Sequence, residues 1–203
     1  MCKYYRKGGT NEMRTYKSID LFAGIGGICY GFMQAGAQIV WANEIDKYAC
    51  KTYRLNFGDS YLVEGDIQKI DTKDIPKFDI LTAGFPCQAF SSVGLLQGFD
   101  DPRGNLFFET ARVINAVKPR VVFLENVANL VKHDEGRTFD VIIKTLNNLG
   151  YHVVWQVMNA KEYGNLPQQR NRIYIVAFKY KKNLVKFCFP EQIPLTRTAF
   201  DLY

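Results

Sequence analysis

The sequence predicts an α/β fold: a mostly parallel, doubly wound sheet with an antiparallel strand near its C-terminal end. Strand-like runs alternate with segments of helical spacing from Lys17 to Leu149, the signature of a parallel sheet with helices on both faces. Gly36, Pro119 and Gly150 punctuate the joins where helices end. His152–Met158 and Arg172–Phe178 are both strand-like, with no helical pattern between them. Parallel neighbours need a crossover, usually a helix, so this last pair is expected to be antiparallel.

Each element follows from local signals. Lys17 to Phe22 is a short strand, and Ala23-Gly24-Ile25-Gly26-Gly27 a tight turn. Ile28 to Ala35 is a helix that Gly36 closes with a left-handed cap. Gln38 to Asn43 is a second strand ending at Glu44; Asp46 to Phe57 is a helix for which Asp46 supplies the N-cap. Tyr61 to Val63 is a third strand leading into Gly65-Asp66-Ile67, and a fourth begins at Phe78 and runs into Cys87. Leu106 to Val117 is a helix, Arg120 to Leu124 the fifth strand, and Thr138 to Leu149 a further helix.

Composition limits the function classes. At 203 residues with 47% hydrophobic and 23% charged content, the chain suits one ordinary globular domain. No apolar run approaches the roughly 18 residues of a membrane span. Residues 1–16 form a basic leader without a signal peptide's apolar region, so a cytoplasmic protein is expected. Five scattered cysteines without a Cys-x-x-Cys, and only two histidines, argue against a disulfide frame, a metal site or a histidine-based triad. The net charge of +6 permits a polyanionic partner.

Open α/β sheets bind ligands along the carboxyl ends of their strands. Here those ends carry the glycine turn, Glu44, Asp66, Cys87 and Glu125. The glycines let a ligand approach the backbone closely. Glu44 follows Gly24 by about 20 residues, the spacing at which an acid meets ribose hydroxyls. The turn is Gly-x-Gly-Gly rather than Gly-x-Gly-x-x-Gly, so a nucleoside without phosphates fits better than a dinucleotide. Acidic surroundings suit a cationic one, and S-adenosylmethionine is such a nucleoside. Cys87 sits in Phe85-Pro86-Cys87-Gln88, where the proline restricts the backbone beside the thiol. A lone cysteine is more often a buried small hydrophobe, and only its company on the rim favours a nucleophile.

Four ordered motifs extend this reading: Asp20 to Gly27, Gly84 to Ser91, Glu125-Asn126-Val127, and Pro167-Gln168-Gln169-Arg170-Asn171-Arg172. Together they resemble the cytosine-5 DNA methyltransferases of bacterial restriction-modification systems, over roughly Lys17 to Phe178. The resemblance implies the fold of S-adenosylmethionine-dependent methyltransferases, with a catalytic and cofactor-binding domain at 17–178 and a linker at 179–203. It also implies S-adenosylmethionine as cofactor and double-stranded DNA as partner. Phe22 would stack on the adenine, Glu44 would hold the ribose, and Asp66 with Ile67 would line the adenine pocket. Pro86 and Leu106 would border the cofactor near the reacting centre. Asp20, Ala23, Gly24, Gly26, Gly27 and Ile45 complete the cofactor set.

Cys87 would attack carbon 6 of a target cytosine, so that carbon 5 gains the electron density to take a methyl group. Glu125 would hold the base at nitrogen 3 and the amino group. Arg172 would contact the base carbonyl, with Arg170 in support. Carbon 6 is hidden in a stacked duplex, so the base must be flipped out. Gln88, Ser91 and Arg103 belong to a loop that would close over it. Family members continue into a target-recognition region and a returning helix, and the expectation is a second polypeptide that supplies both; a truncated relic and a fragment stay open. So do an RNA cytosine methyltransferase and a catalytically silent cofactor- or nucleic-acid-binding module.

Overall fold

The structure, a computed structural model, describes residues 15–86 and 106–202. Its centre is one seven-stranded sheet with strands β1 (Lys17–Leu21), β2 (Gln38–Glu44), β3 (Leu62–Glu64), β4 (Ile80–Ala83), β5 (Val121–Val127), β6 (His152–Asn159) and β7 (Asn171–Phe178). The spatial order is β3-β2-β1-β4-β5-β7-β6. Strands β1 to β5 are parallel, and β7 runs antiparallel to both β5 and β6. The expected antiparallel pair is therefore present, with β7 inserted between β5 and β6.

Four helices flank the sheet: α1 (Gly27–Gln34), α2 (Lys47–Phe57), α3 (Leu106–Val117) and α4 (Arg137–Asn148). Helix α2 starts where Asp46 accepts from the N–H groups of Tyr48 and Ala49 at 2.9 and 2.7 Å, two bonds that satisfy otherwise orphaned donors. Gly36 and Gly150 follow α1 and α4 with φ of +88° and +87°, the left-handed backbone expected of both. Two expectations shift. The fourth strand starts at Ile80 rather than Phe78, and Ala160–Tyr163, read as non-helical, forms one turn that Asn159 caps.

The larger core lies between the sheet and α3 and α4. Leu81, Val122, Leu124, Ile173 and Ile175 meet Phe107, Ile114, Phe139, Ile142 and Leu146 there. A smaller cluster under α1 and α2 joins Cys29, Ile39, Ala42, Cys50, Tyr53 and Leu62. Burying such side chains contributes about 1.5–3 kcal/mol each, which sets the sheet's position and hence that of its rim. Residues after Phe178 fold back on the β6–β7 connection: Ile193 N–H donates to the Glu162 carbonyl at 2.7 Å and Thr196 N–H to Asn165 Oδ1 at 2.8 Å. Cys29 and Cys50 are free thiols, whereas Cys188 is disulfide-bonded; five cysteines leave room for a single cross-link without a frame of them. No helix among the described residues is long and apolar enough to cross a membrane.

Candidate active site

Parallel strands β1 to β5 all end on one edge, so their exits form a continuous rim. At β1 the chain turns sharply: Phe22 has φ of +56°, Gly24 +56° and Gly26 +93°. Positive φ is costly for a bulky residue such as Phe22 and free for glycine. At Gly26 space matters as much as φ, because a Cβ there would stand 2.1 Å from the Phe57 ring. Ala23 is buried, while Gly24 and Phe22 are half-buried and Gly27 is exposed. A groove of 430 Å³ opens beside the turn between Ile25, Tyr30, Met33, Asn56 and Phe57.

Glu44 at the end of β2 is fixed to this turn. Its Oε2 accepts from Gly24 N–H at 2.8 Å, and its Oε1 from the N–H groups of Ile45 and Asp46 at 2.8 Å each. Three backbone donors orient one carboxylate and leave it able to accept further bonds. Ile45 is exposed. At the exit of β3, Asp66 caps a short turn by accepting from Gln68 N–H at 3.0 Å, and Ile67 is buried beneath it. Two residues outside the predicted set hold this corner. Asn43, 2% exposed, donates to the carbonyls of Val63 and Gly65 at 2.9 Å each. Arg112 of α3 donates to the Ile67 carbonyl at 2.9 Å.

Asp20 lies elsewhere than the resemblance implies. It is fully buried beneath the turn: its Oδ1 accepts from Thr82 Oγ1 at 2.6 Å, its Oδ2 from the Cys29 thiol at 3.2 Å. Tyr53 OH is 3.4 Å from the same sulfur. The reason is register, since Asp20 faces Thr82 across the β1–β4 ladder in the middle of the sheet. Burial pushes its pKa up to about 6, against the hydrogen bonds that lower it. The same burial, with Asp20 beside it, raises Cys29 far above the usual thiol range. Asp20 therefore supports the turn from below and presents no surface to a ligand.

The second half of the rim joins β4, β5 and β7. Pro86, exposed, is the last described residue of the β4 exit; Cys87, Gln88, Ser91 and Arg103 lie outside the described residues. Gly84 passes close to the neighbouring carboxylate, a Cβ on it lying 3.5 Å from Glu125 Oε2. Leu106, half-buried, opens α3. In the antiparallel ladder Glu125 faces Tyr174 and Val127 faces Arg172. Arg172 is thus the diagonal neighbour of Glu125 on one face of the sheet, within reach of a long side chain. Its Nε stands 2.8 Å from Glu125 Oε1; Arg170 is farther, at 4.0 Å from the same oxygen. Glu125 and Arg172 are 20% and 21% exposed and Arg170 49%, which makes the first pair the tighter, less screened contact. The Tyr174 phenol is raised above its usual range, mainly by burial and then by Glu125.

A doubly wound sheet with a glycine turn and paired carboxylate–arginine groups on its carboxyl rim defines a protein of the methyltransferase class. The chain belongs to the C-5 cytosine-specific DNA methylase family, whose profile matches residues 16–201. It is similar to the type II methyltransferase M.Bsp6I of Bacillus sp. (strain RFL6), 52% identical over 90% of this chain and 58% of that protein. It is also similar to M.HhaI of Haemophilus parahaemolyticus, 48% identical over 94% of this chain and 58% of that one. Among solved structures, the S. pombe Dnmt2 methyltransferase superposes with a TM-score of 0.66 at 26% identity, covering 83% of this chain and 51% of that one. The chain thus spans little more than half the length of the curated relatives it matches. In them the remaining length belongs to the same polypeptide, and they give a separate subunit no support.

Proposed function

We propose that this chain is the catalytic and cofactor-binding part of a restriction-modification DNA cytosine-5 methyltransferase that works through a covalent cysteine adduct. The observation that carries the reading is the Glu125–Arg172 pair, 2.8 Å apart and beside the chain that leads through Pro86 into Cys87. A carboxyl group and a guanidinium on one face match the cytosine edge. The carboxyl can serve nitrogen 3 and the amino group, and the guanidinium can donate to the carbonyl. The Cys87 thiolate attacks carbon 6, and electron density moves to carbon 5 as Glu125 steadies nitrogen 3. After alkylation at carbon 5, a base takes the proton there, the carbon–sulfur bond breaks, and the thiolate is regenerated. Thiolate is both a strong nucleophile and a workable leaving group.

The cofactor half fits S-adenosylmethionine. Its acceptors are Glu44 and Asp66, its apolar surface is Phe22 with Ile67, and no cationic side chain accompanies them as a phosphate would require. When bound, S-adenosylmethionine would supply an electrophilic methyl group. Glu44 would orient the ribose hydroxyls, Phe22 would cover the adenine, and Gly24 and Gly26 would admit the ligand to the backbone.

The test is incubation of the chain with S-adenosylmethionine and duplex DNA carrying 5-fluorocytosine. The fluorine blocks the final proton loss, so the expected product is a stable DNA adduct on the Cys87 peptide, identified by mass spectrometry. Adducts on other residues, or none under conditions in which the cofactor binds, overturn the covalent mechanism.

A further inference from the structure

Pro86 has no N–H, so the exit of β4 has one hydrogen-bonding group fewer with which to fix itself. The carbonyl just before it, on Phe85, is taken by Asn126. Asn126 is 3% exposed, and its Nδ2 donates to that carbonyl at 2.7 Å. Its Oδ1 accepts from Val127 N–H at 2.8 Å, so both ends of the amide are engaged. The Phe85 ring packs on Phe107 of α3, with centroids 5.6 Å apart. Successive side chains on a strand point to opposite faces. Asn126 thus reaches from the core side of the strand whose rim side carries Glu125, and it grips the chain two residues ahead of Cys87.

We propose that Asn126 is a positioning residue that fixes the thiol-bearing segment to the carboxylate strand and sets the height at which the chain enters the site relative to Glu125. This rests on the reading of Cys87 as the nucleophile. The role is distinct from core filling. An apolar side chain of equal size would fill the space, yet only a donor can hold the Phe85 carbonyl, and a shift of one ångström in a reacting group slows reaction by on the order of 100-fold.

Asn126→Asp isolates the donated bond, because it keeps the shape and the acceptor for Val127 N–H. Protonated, the new carboxyl can donate to the Phe85 carbonyl; ionised, it repels it. The full chain and N126D are compared for the rate of trapping on 5-fluorocytosine duplex at saturating DNA and cofactor, from pH 6 to 9, with thermal denaturation alongside. The expected result is trapping by N126D slowed on the order of 100-fold at high pH. The ratio to wild type recovers as pH falls, and the cofactor dissociation constant is unchanged. Equal rates at every pH overturn the proposal, as does a deficit that only follows loss of folded protein. If N126D does not fold, N126A removes the donor without adding charge and is read by the same rates. If wild type is not trapped at all, the nucleophile reading fails separately. Positioning is then read from the rate of iodoacetamide alkylation at Cys87 in folded protein. A changed rate in N126D supports the role and an unchanged one overturns it.

Discussion

On the cofactor side of the rim, Glu44 accepts three backbone N–H groups, and the turn it holds is shaped by glycines. On the base side, Glu125 is held by a side chain, Arg172, with Arg170 at the margin of ion-pair distance. Backbone donors are fixed by the fold, so the first carboxylate is oriented before any ligand arrives. An arginine on a flexible stem can exchange partners, so the second can let go of Arg172 and take up a base. The halves nevertheless share a device. Asn43 behind β2 and Asn126 behind β5 are both buried, and each ties its strand to the exit of a neighbour. A rigid half for an invariant ligand and an adjustable half for a reacting one need the same backing and different fronts.

The sharpest break between the halves is Cys87→Ser. An alcohol is a far weaker nucleophile than a thiolate at neutral pH, so methyl transfer is expected to vanish. Titration with S-adenosylmethionine should give the wild-type dissociation constant. Loss of cofactor affinity together with activity would show that the rim does not divide as described.

Gly26→Ala attacks the cofactor half through its backbone. The new Cβ meets the Phe57 ring at 2.1 Å, on a residue with φ of +93°. Left-handed strain and overpacking each cost about 1–3 kcal/mol, and the ring can yield somewhat, so a loss of roughly 2–4 kcal/mol is expected. Urea denaturation measures it. Gly24→Ala is the control, because a Cβ at Gly24 meets nothing within 4 Å and only the strain remains. Equal losses at the two glycines would remove the close approach of Phe57 from the account.

Much of this architecture is legible in the sequence because its signals are local. Asp46 and Gly36 act at α2 and α1 as their residue types dictate. The insertion of β7 between β5 and β6 is a long-range choice that periodicity does not encode. A trace of it exists: Ile173 to Phe178 is nearly continuous in apolar residues, as a central strand is, whereas β6 leaves Trp155 and Val157 exposed. The Glu125–Arg172 contact follows from that choice and appears only once β7 lies beside β5. Asn43 and Asn126 escaped notice for another reason. Asparagine at a strand end ordinarily signals a turn, and nothing local reveals that its amide is buried. Asp20 was misplaced because its motif sits on the turn, while the pleat points its side chain beneath.

Asp20 sharpens the comparison through pH. The cofactor half is backed by a buried ionisable group, while Asn126 behind the base half is neutral. The Asp20 pKa rises from 3.8 to about 6 on folding, so the folded protein holds this proton more tightly than the unfolded chain. The group's contribution is complete below about pH 4 and declines as pH rises to about 6. Above that, the buried charge costs about 3 kcal/mol relative to acid conditions. Asp20→Asn should flatten this slope between pH 4 and pH 7, as read by urea denaturation across that range. A slope unchanged by the substitution would show that Asp20 does not titrate there.

The smallest effect belongs to Glu44→Ala, where two consequences must be separated. The substitution removes the acceptor for Gly24, Ile45 and Asp46 N–H, and it removes the group proposed to hold the ribose. The half-buried N–H groups can turn to water, so the stability loss should be modest. A hydrogen bond to a charged group contributes about 1.5–3 kcal/mol, so S-adenosylmethionine affinity should fall roughly 10- to 100-fold. Glu44→Gln discriminates the two. Its amide oxygen can still accept from Ile45 and Asp46 N–H, but the charge is gone, so affinity should fall while the melting temperature stays near wild type. At saturating cofactor, trapping on 5-fluorocytosine duplex should recover for both variants, because the base half is untouched. A dissociation constant equal to wild type in both would remove Glu44 from the cofactor site. Trapping that stays slow at saturation would mean that the two halves of the rim are coupled more tightly than their separate anchors imply.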